Sequence, residues 1–184
     1  LQLIRRNRLN PHLYADDTQI YGACRPGATR QLQDRMSACV ADVGSWMMSN
    51  RLQLNTAKTE VLWCSSVRRQ HQIPSEPLTV GSDAVAPVRS VRDLGIYVDA
   101  DLTMSTHVSK TVSSCFAALR QLRSIRRSVT PPVLRSLVAS LVLTMLDYGI
   151  ATLAGLPDRQ LNQLQLVLNI YIQLYSPINI GRQS

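Results

Sequence analysis

Acidic residues are missing from Leu102 to Leu146, an interval that contains Lys110, Arg120, Arg123, Arg126, Arg127 and Arg135. A basic balance suits a polyanionic partner but is also common in proteins that bind none. Over all 184 residues, 20 Lys+Arg against 12 Asp+Glu leave a net charge of +8. Aromatic residues are scarce at 5%, and from residue 101 onward they are only Phe116, Tyr148, Tyr171 and Tyr175. Base stacking along a single strand is therefore not the expected mode of nucleic-acid binding. The four cysteines, Cys24, Cys39, Cys64 and Cys115, form no C-x-x-C pair and have no histidine at ligand spacing. They read as reduced thiols without disulfide partners in an intracellular protein, nuclear and/or cytoplasmic. No signal peptide is expected, and the most apolar run, Leu137 to Leu146, is too short to span a membrane and carries Ser140 and Thr144. No membrane partner is expected.

What is present is enough apolar content, 45%, for a folded core, in one ordinary domain or two small ones. His12 to Tyr21 places Asp16-Asp17 between two short runs of strand-forming residues, which predicts a β-hairpin with both carboxylates at its tip. Asp-Asp is an unfavourable tip, since tight hairpin turns prefer Asn-Gly or Asp-Gly and adjacent carboxylates repel. A divalent cation would remove the repulsion; without one the dipeptide is an ordinary polar turn.

Residues 1 to 11 read as basic and irregular. After the turn Arg25-Pro26-Gly27, Leu32, Met36, Cys39, Val40, Val43, Trp46 and Met47 recur on one face of a core helix that ends at Asn50. Leu52-Gln53-Leu54 and Thr59 to Ser65 predict two short strands around a loop carrying Lys58, and Arg68 to Ser75 reads as a polar connection. A hairpin is expected at Leu78-Thr79-Val80 and Ala84-Val85-Ala86. A further strand-like run covers Val91 to Val98, where Gly95 permits a bulge or a close approach.

Beyond Asp101 the pattern turns helical. Val108, Val112, Cys115, Phe116, Leu119 and Leu122 form one face, with Arg120, Arg123 and Arg127 along its edge. Thr130-Pro131-Pro132 stops one helix and starts a second that runs to about Tyr148, with Thr130 as cap. Gly149 and Gly155 bracket a loop, and a third helix from about Asp158 spaces Leu161, Leu164, Leu168, Tyr171 and Tyr175 like heptad positions. The residues from Ser176 onward receive no assignment. These elements predict an α+β chain, with residues 1–100 forming a hairpin, a core helix and a small antiparallel sheet, and residues 101–184 forming a three-helix bundle.

Tyr14-Ala15-Asp16-Asp17 flanked by strands resembles the catalytic signature of reverse transcriptases, and His12 to Gly22 resembles the version in non-LTR (LINE-type) retrotransposons. The resemblance continues in order through Trp46, Ser49 to Asn55, Lys58-Thr59-Glu60, Val91 to Ile96, His107, Leu146-Asp147-Tyr148, Leu164-Gln165 and Asn169. It implies the C-terminal part of a polymerase palm followed by a thumb. The activity implied is RNA-directed DNA synthesis on an RNA template and DNA primer with dNTPs, under Mg²⁺ or Mn²⁺.

By this resemblance Asp16 and, less directly, Asp17 hold metal. Lys58 assists the leaving pyrophosphate; without the resemblance it is a solvated lysine. Tyr14, Ala15, Leu94 and Gly95 lie near the nucleotide and the primer end. Lys110, Arg120, Arg123 and Arg127 grip the duplex backbone without reading sequence; taken alone they are a solvated helix edge.

Two departures bear on activity. The family's palm takes a further aspartate from an earlier strand, together with a Gly-rich segment, and neither fits into the eleven residues before His12. The fingers and an endonuclease domain are missing as well. After Asn169 the chain reads Ile170-Tyr171-Ile172-Gln173-Leu174, where the family tends to have small residues and an arginine. The sequence therefore predicts a fragment inactive by itself. The alternative is a non-catalytic nucleic-acid-binding remnant of a decayed retroelement.

Overall fold

The computed structural model describes residues 1–175, with side chains through Ile172; the unassigned stretch from Ser176 and the side chain of Tyr175 lie outside the described residues. Helices and short strands are mixed along the chain, an α+β composition. Two compact units divide it: Leu1–Val91 with Ala100–Leu102, and Arg92–Asp99 with Thr103 onward. Residues 92–99, just before residue 100, thus go with the helices.

In the first unit the stretch expected to be irregular forms a short helix, α1 (Gln2–Arg6). Its cause is two apolar anchors, Ile4 and Leu9, both buried against Leu32 and Cys39. With only two such residues among basic neighbours, no periodicity could announce it. Strands β1 (Asn10–Tyr14) and β2 (Asp17–Tyr21) pair antiparallel, with Pro11 opposite Ile20 and Tyr14 opposite Asp17.

The core helix α2 (Thr29–Ser49) follows a 3₁₀ turn at Pro26–Ala28, and Asn50 closes it with its amide on the Trp46 carbonyl at 2.8 Å. Leu32 and Cys39 are buried, with Met36 and Val43 packed beside them. Trp46, expected on that buried face, is 52% exposed, because the helix runs past the end of its own core.

Gly22, just after β2, is where hairpin and core meet most closely. A Cβ there would lie 2.7 Å from Leu9 Cδ2 and 2.9 Å from Leu32 Cδ1, and both leucines are buried. Gly22→Ala must push two core side chains off their positions, an overpacking cost of about 1–3 kcal/mol. The expected result is a lower urea midpoint for this unit, read from the near-ultraviolet signal of Trp46 and Trp63.

The strand expected at Leu52-Gln53-Leu54 does not form, and of Thr59 to Ser65 only β3 (Val61–Leu62) is extended. Backbone partners decide this, since β3 finds one only in β6 (Pro87–Val88), to which it runs parallel. The connection at 68–75 contains a 3₁₀ turn, Val67–Gln72, held by the Gln70 side-chain amide on the carbonyls of Ser65 and Ala100 at 2.8 and 2.9 Å. The expected hairpin forms as β4 (Leu78–Val80) and β5 (Asp83–Val85), around Gly81-Ser82. Leu78 and Val80 are buried on the side that packs on α2. Beside the β1–β2 hairpin, the expected small antiparallel sheet is, among the described residues, three separate two-stranded pairings, one of them parallel.

In place of one continuous strand-like run there is a hairpin of β7 (Ser90–Asp93), whose last two residues begin the second unit, and β8 (Ile96–Asp99), turning at Leu94-Gly95. Both turn residues have positive φ, 45° and 87°, the geometry of a tight hairpin loop. Helix α3 (Ser105–Ile125) buries Val108, Cys115, Leu119 and Leu122. Helix α4 (Pro131–Val138) continues through a π-helical stretch, Ala139–Leu143, into α5 (Thr144–Asp147), which matches the expected extent of the second helix. Thr130 occupies the cap position, but its side chain makes no capping hydrogen bond.

In α6 (Asp158–Tyr175) the fully buried residue is Val167, which joins Cys115, Leu119, Leu122, Leu134, Val138 and Val142 in one core. The heptad-like positions do not form the buried seam as a set, since Leu161 is exposed. Two-residue apolar steps of three and four leave the choice of inner face to the neighbours, and α3 takes Val167. Among the described residues no helix is long and apolar enough to cross a membrane, and all four cysteines are free thiols.

Candidate functional site

The carboxylate turn is narrower than Asp16-Asp17 suggested. The two loop residues are Ala15 and Asp16, and Asp17 already belongs to β2, in the last cross-strand pair with Tyr14. Cross-strand partners share a face, so Tyr14, Asp17, His12 and Gln19 project to the same side of the hairpin. Tyr14, Ala15, Asp16 and Asp17 are all exposed. Ala15 carries the turn with φ 52°, a backbone region that costs a residue with a Cβ about 1–2 kcal/mol. Ala15→Gly removes that cost at the expense of some chain entropy. The expected gain is about 1 kcal/mol, seen as a raised urea midpoint of the first unit.

Hard carboxylate oxygens at a turn suit Mg²⁺ chemically, but two adjacent exposed carboxylates are not a complete set of ligands. Among the described residues no group of three or more His, Cys, Asp or Glu side chains is placed to hold a metal ion. A two-metal centre does not fit this chain's own donors, and no reaction step follows from them alone.

Lys58 ends a 3₁₀ turn, Thr56–Lys58, and is exposed. The turn is set by Asn55, whose Oδ1 accepts the Lys58 backbone N–H at 3.2 Å and whose carbonyl accepts the Thr59 hydroxyl at 2.9 Å. Asn55 is thus the residue that shapes this loop, a role its bare place in the sequence does not reveal. Asp16, Asp17 and Lys58 belong to the first unit, while Leu94, Gly95, Lys110, Arg120, Arg123 and Arg127 belong to the second.

In the second unit three distant stretches converge. A Cβ on Gly95 would lie 3.1 Å from Tyr148 Cε1 and 3.2 Å from its Oη, and the Tyr148 hydroxyl donates to the Leu94 carbonyl. The close approach that Gly95 permits is therefore to a ring of the same unit. A Cβ on Gly149 would lie 3.0 Å from Ile96 Cδ1 and 3.7 Å from His107 Nε2. His107 is buried at the start of α3 and accepts the Tyr97 N–H on Nδ1 at 3.5 Å. Asp99, also buried, accepts the Thr106 N–H at 3.0 Å and satisfies a donor at the α3 N-terminus. Arg92 lies 5.9 Å over the Tyr97 ring centroid. Leu94-Gly95, His107 and Tyr148-Gly149 thus form one cluster around a turn.

Burial lowers the His107 pKa below the usual histidine value, and the nearby Asp99 charge only partly opposes it. A neutral imidazole is also what an acceptor at Nδ1 requires. A histidine with a lowered folded pKa binds fewer protons in the native state than in the unfolded one. Its contribution is complete above the ordinary histidine value and falls away as pH drops through it toward the lowered folded value. The second unit is therefore expected to lose stability as pH falls below the ordinary histidine value. His107→Gln should flatten that part of the pH profile of the urea midpoint, and an unchanged profile would remove His107 from this role.

Lys110 and Arg120 are exposed on α3, as is Arg123 in its last turn. Arg127 lies past the helix end at Ile125, so the stripe extends onto the following turn. The acid-free interval spans all of α3 and α4 and most of α5, and these four cations face water without a carboxylate anywhere on α3. Such a surface can neutralise phosphates.

Comparison with protein families, curated proteins and solved structures finds no match to this chain.

Proposed function

We propose that this chain is the C-terminal part of a palm followed by the thumb of a non-LTR (LINE-type) retrotransposon reverse transcriptase. The parent activity is RNA-directed DNA synthesis on an RNA template and DNA primer with dNTPs. The observation that carries the reading is the meeting of Leu94-Gly95, His107 and Tyr148 in one cluster. These belong to the ordered series on which the resemblance rests, and they are separated by up to 54 residues in the chain. In this reading Asp16 and Asp17 contribute to a metal site completed by carboxylates outside this chain. Lys58 serves the leaving pyrophosphate, the Leu94-Gly95 turn meets the primer end, and Lys110 with the three arginines holds the duplex backbone.

The short donor set at the hairpin favours a second reading, a nucleic-acid-binding remnant in which the carboxylates are idle. Both readings require duplex binding. The deciding experiment is titration of a labelled RNA–DNA primer–template with the chain, at several salt concentrations and with unrelated sequences. Binding independent of sequence and steeply weakened by salt supports both readings, and no binding at low salt removes both.

A further inference from the structure

Two contacts tie strand β8 to helix α3: the Tyr97 N–H donates to His107 Nδ1 at 3.5 Å, and the Thr106 N–H donates to the Asp99 carboxylate at 3.0 Å. Both lie beyond the Leu94-Gly95 turn, toward the far end of the hairpin. The turn has little of its own to hold it. Leu94 carries a φ of 45°, a region unfavourable for a residue with a Cβ, and a two-stranded pairing of four-residue strands is marginal in water. Such a turn keeps one geometry only where the surrounding chain imposes it.

Tyr148 reaches the turn itself. Its ring fills the space beside Gly95, with Cζ 3.5 Å from where a Cβ would lie, and its hydroxyl donates to the Leu94 carbonyl. The ring is fixed along the chain from both sides. Behind it, the Tyr148 N–H closes α5 on the Thr144 carbonyl at 3.0 Å. Ahead of it, Gly149, with φ 74°, passes so close to β8 that an added Cβ would meet Ile96 Cδ1 at 3.0 Å. Leu94 stays 39% exposed and Tyr148 54%, so the outer side of the contact is open to a ligand.

We propose that Tyr148 is a positioning residue, whose hydroxyl holds the Leu94-Gly95 turn in the geometry that receives the primer 3′ end. What the turn meets rests on the reverse transcriptase reading; what holds the turn rests on geometry alone. Tyr148 acts through the turn and adds nothing to the grip on the duplex, which belongs to the cations of α3. Placement of a reacting end and overall affinity are separate quantities, and one can change without the other.

Two measurements on the full chain test this with Tyr148→Phe, which keeps the ring against Gly95 and removes the hydroxyl. In the free chain, amide exchange over residues 93–96 should quicken about three- to tenfold, the worth of one exposed hydrogen bond, with exchange along α3 unchanged. On an RNA–DNA primer–template whose primer ends in a photoreactive thio-substituted thymidine, the wild-type chain should cross-link at the turn, in the tryptic peptide between Arg92 and Lys110. The variant should lose that product by a similar factor at an unchanged duplex Kd. Gly95→Ala, which brings a methyl to 3.1 Å from Tyr148 Cε1, should lower the cross-link from the turn side and covers the case in which Tyr148→Phe misfolds. Unchanged exchange in a folded Tyr148→Phe overturns the proposal and leaves the reverse transcriptase reading standing. Faster exchange with no wild-type cross-link at the turn overturns that reading, and the primer role of Tyr148 with it. A fall in duplex affinity equal to the fall in cross-linking overturns the proposal as well, since Tyr148 would then be part of the grip.

Discussion

A primed RNA template supplied with Mg²⁺ and dNTPs is expected to stay unextended by this chain. Incorporation should equal that of a control carrying Asp16→Asn and Asp17→Asn. The reason is the donor count at the hairpin: two carboxylates on neighbouring residues, both exposed, with no third acid placed to join them among the described residues. Stabilising charge on both the attacking and the leaving oxygen takes a fuller set of ligands. Joining a reverse transcriptase fingers-and-palm segment that carries the missing aspartate should create activity. In that joined protein Asp16→Asn should lower incorporation on the order of 10³-fold, about 4 kcal/mol of transition-state stabilisation. Asp17→Asn should cost less, because Asp17 sits in the strand ladder and not in the loop. Extension by the chain alone above the double-Asn control would overturn the first expectation. Tolerance of Asp16→Asn in the joined protein would remove Asp16 as a metal ligand.

The second large effect concerns the arginines. Replacing Arg120, Arg123 and Arg127 by Gln is expected to remove up to about 2.7 units from the slope of log K against log[salt], at about 0.9 per phosphate contact. Between 50 and 200 mM salt that corresponds to a loss of affinity smaller than that of the wild type by a factor on the order of 40. The fold should survive, since all three side chains are exposed while the inner face of α3 is held by Val108, Cys115, Leu119 and Leu122. Arg127, beyond the helix, is expected to contribute least, because the turn that carries it fixes its position less firmly. A triple variant with an unchanged circular dichroism spectrum and an unchanged slope would leave α3 a helix with a solvated basic edge.

These expectations depend on features with different origins. The α2 and α3 helices, the Leu78 hairpin and the break at Thr130-Pro131-Pro132 follow from spacing and turn chemistry that act within a few residues. The sequence accordingly places them close to where the structure does. Helix α1 was illegible because its stability comes from Ile4 and Leu9 meeting Leu32 and Cys39, which lie more than twenty residues away. The strand expected at Leu52 failed for the complementary reason: it has strand-forming residues but no pairing partner. The same limit applies to the candidate site. Asp16 and Asp17 are visible as a dipeptide, yet which of them occupies the loop depends on the register of β1 and β2. His107 and Tyr148 can be read as members of a series, but nothing local brings them to Leu94-Gly95.

By itself, then, the sequence determined the mixed helical and strand character, the apolar face of α3, the acid-free basic interval and the Asp16-Asp17 dipeptide. Composition and periodicity are local properties, and a side chain's charge does not depend on what folds around it. Only the tertiary structure decided that Gly22 must be small, that the Gly95 approach is filled by Tyr148, and that Asp99 caps α3. It likewise decided that Val167, not Leu161, is the inner residue of α6. Each of these is settled by which distant surface arrives within contact distance. Close packing admits one arrangement there, where the local pattern would have allowed several.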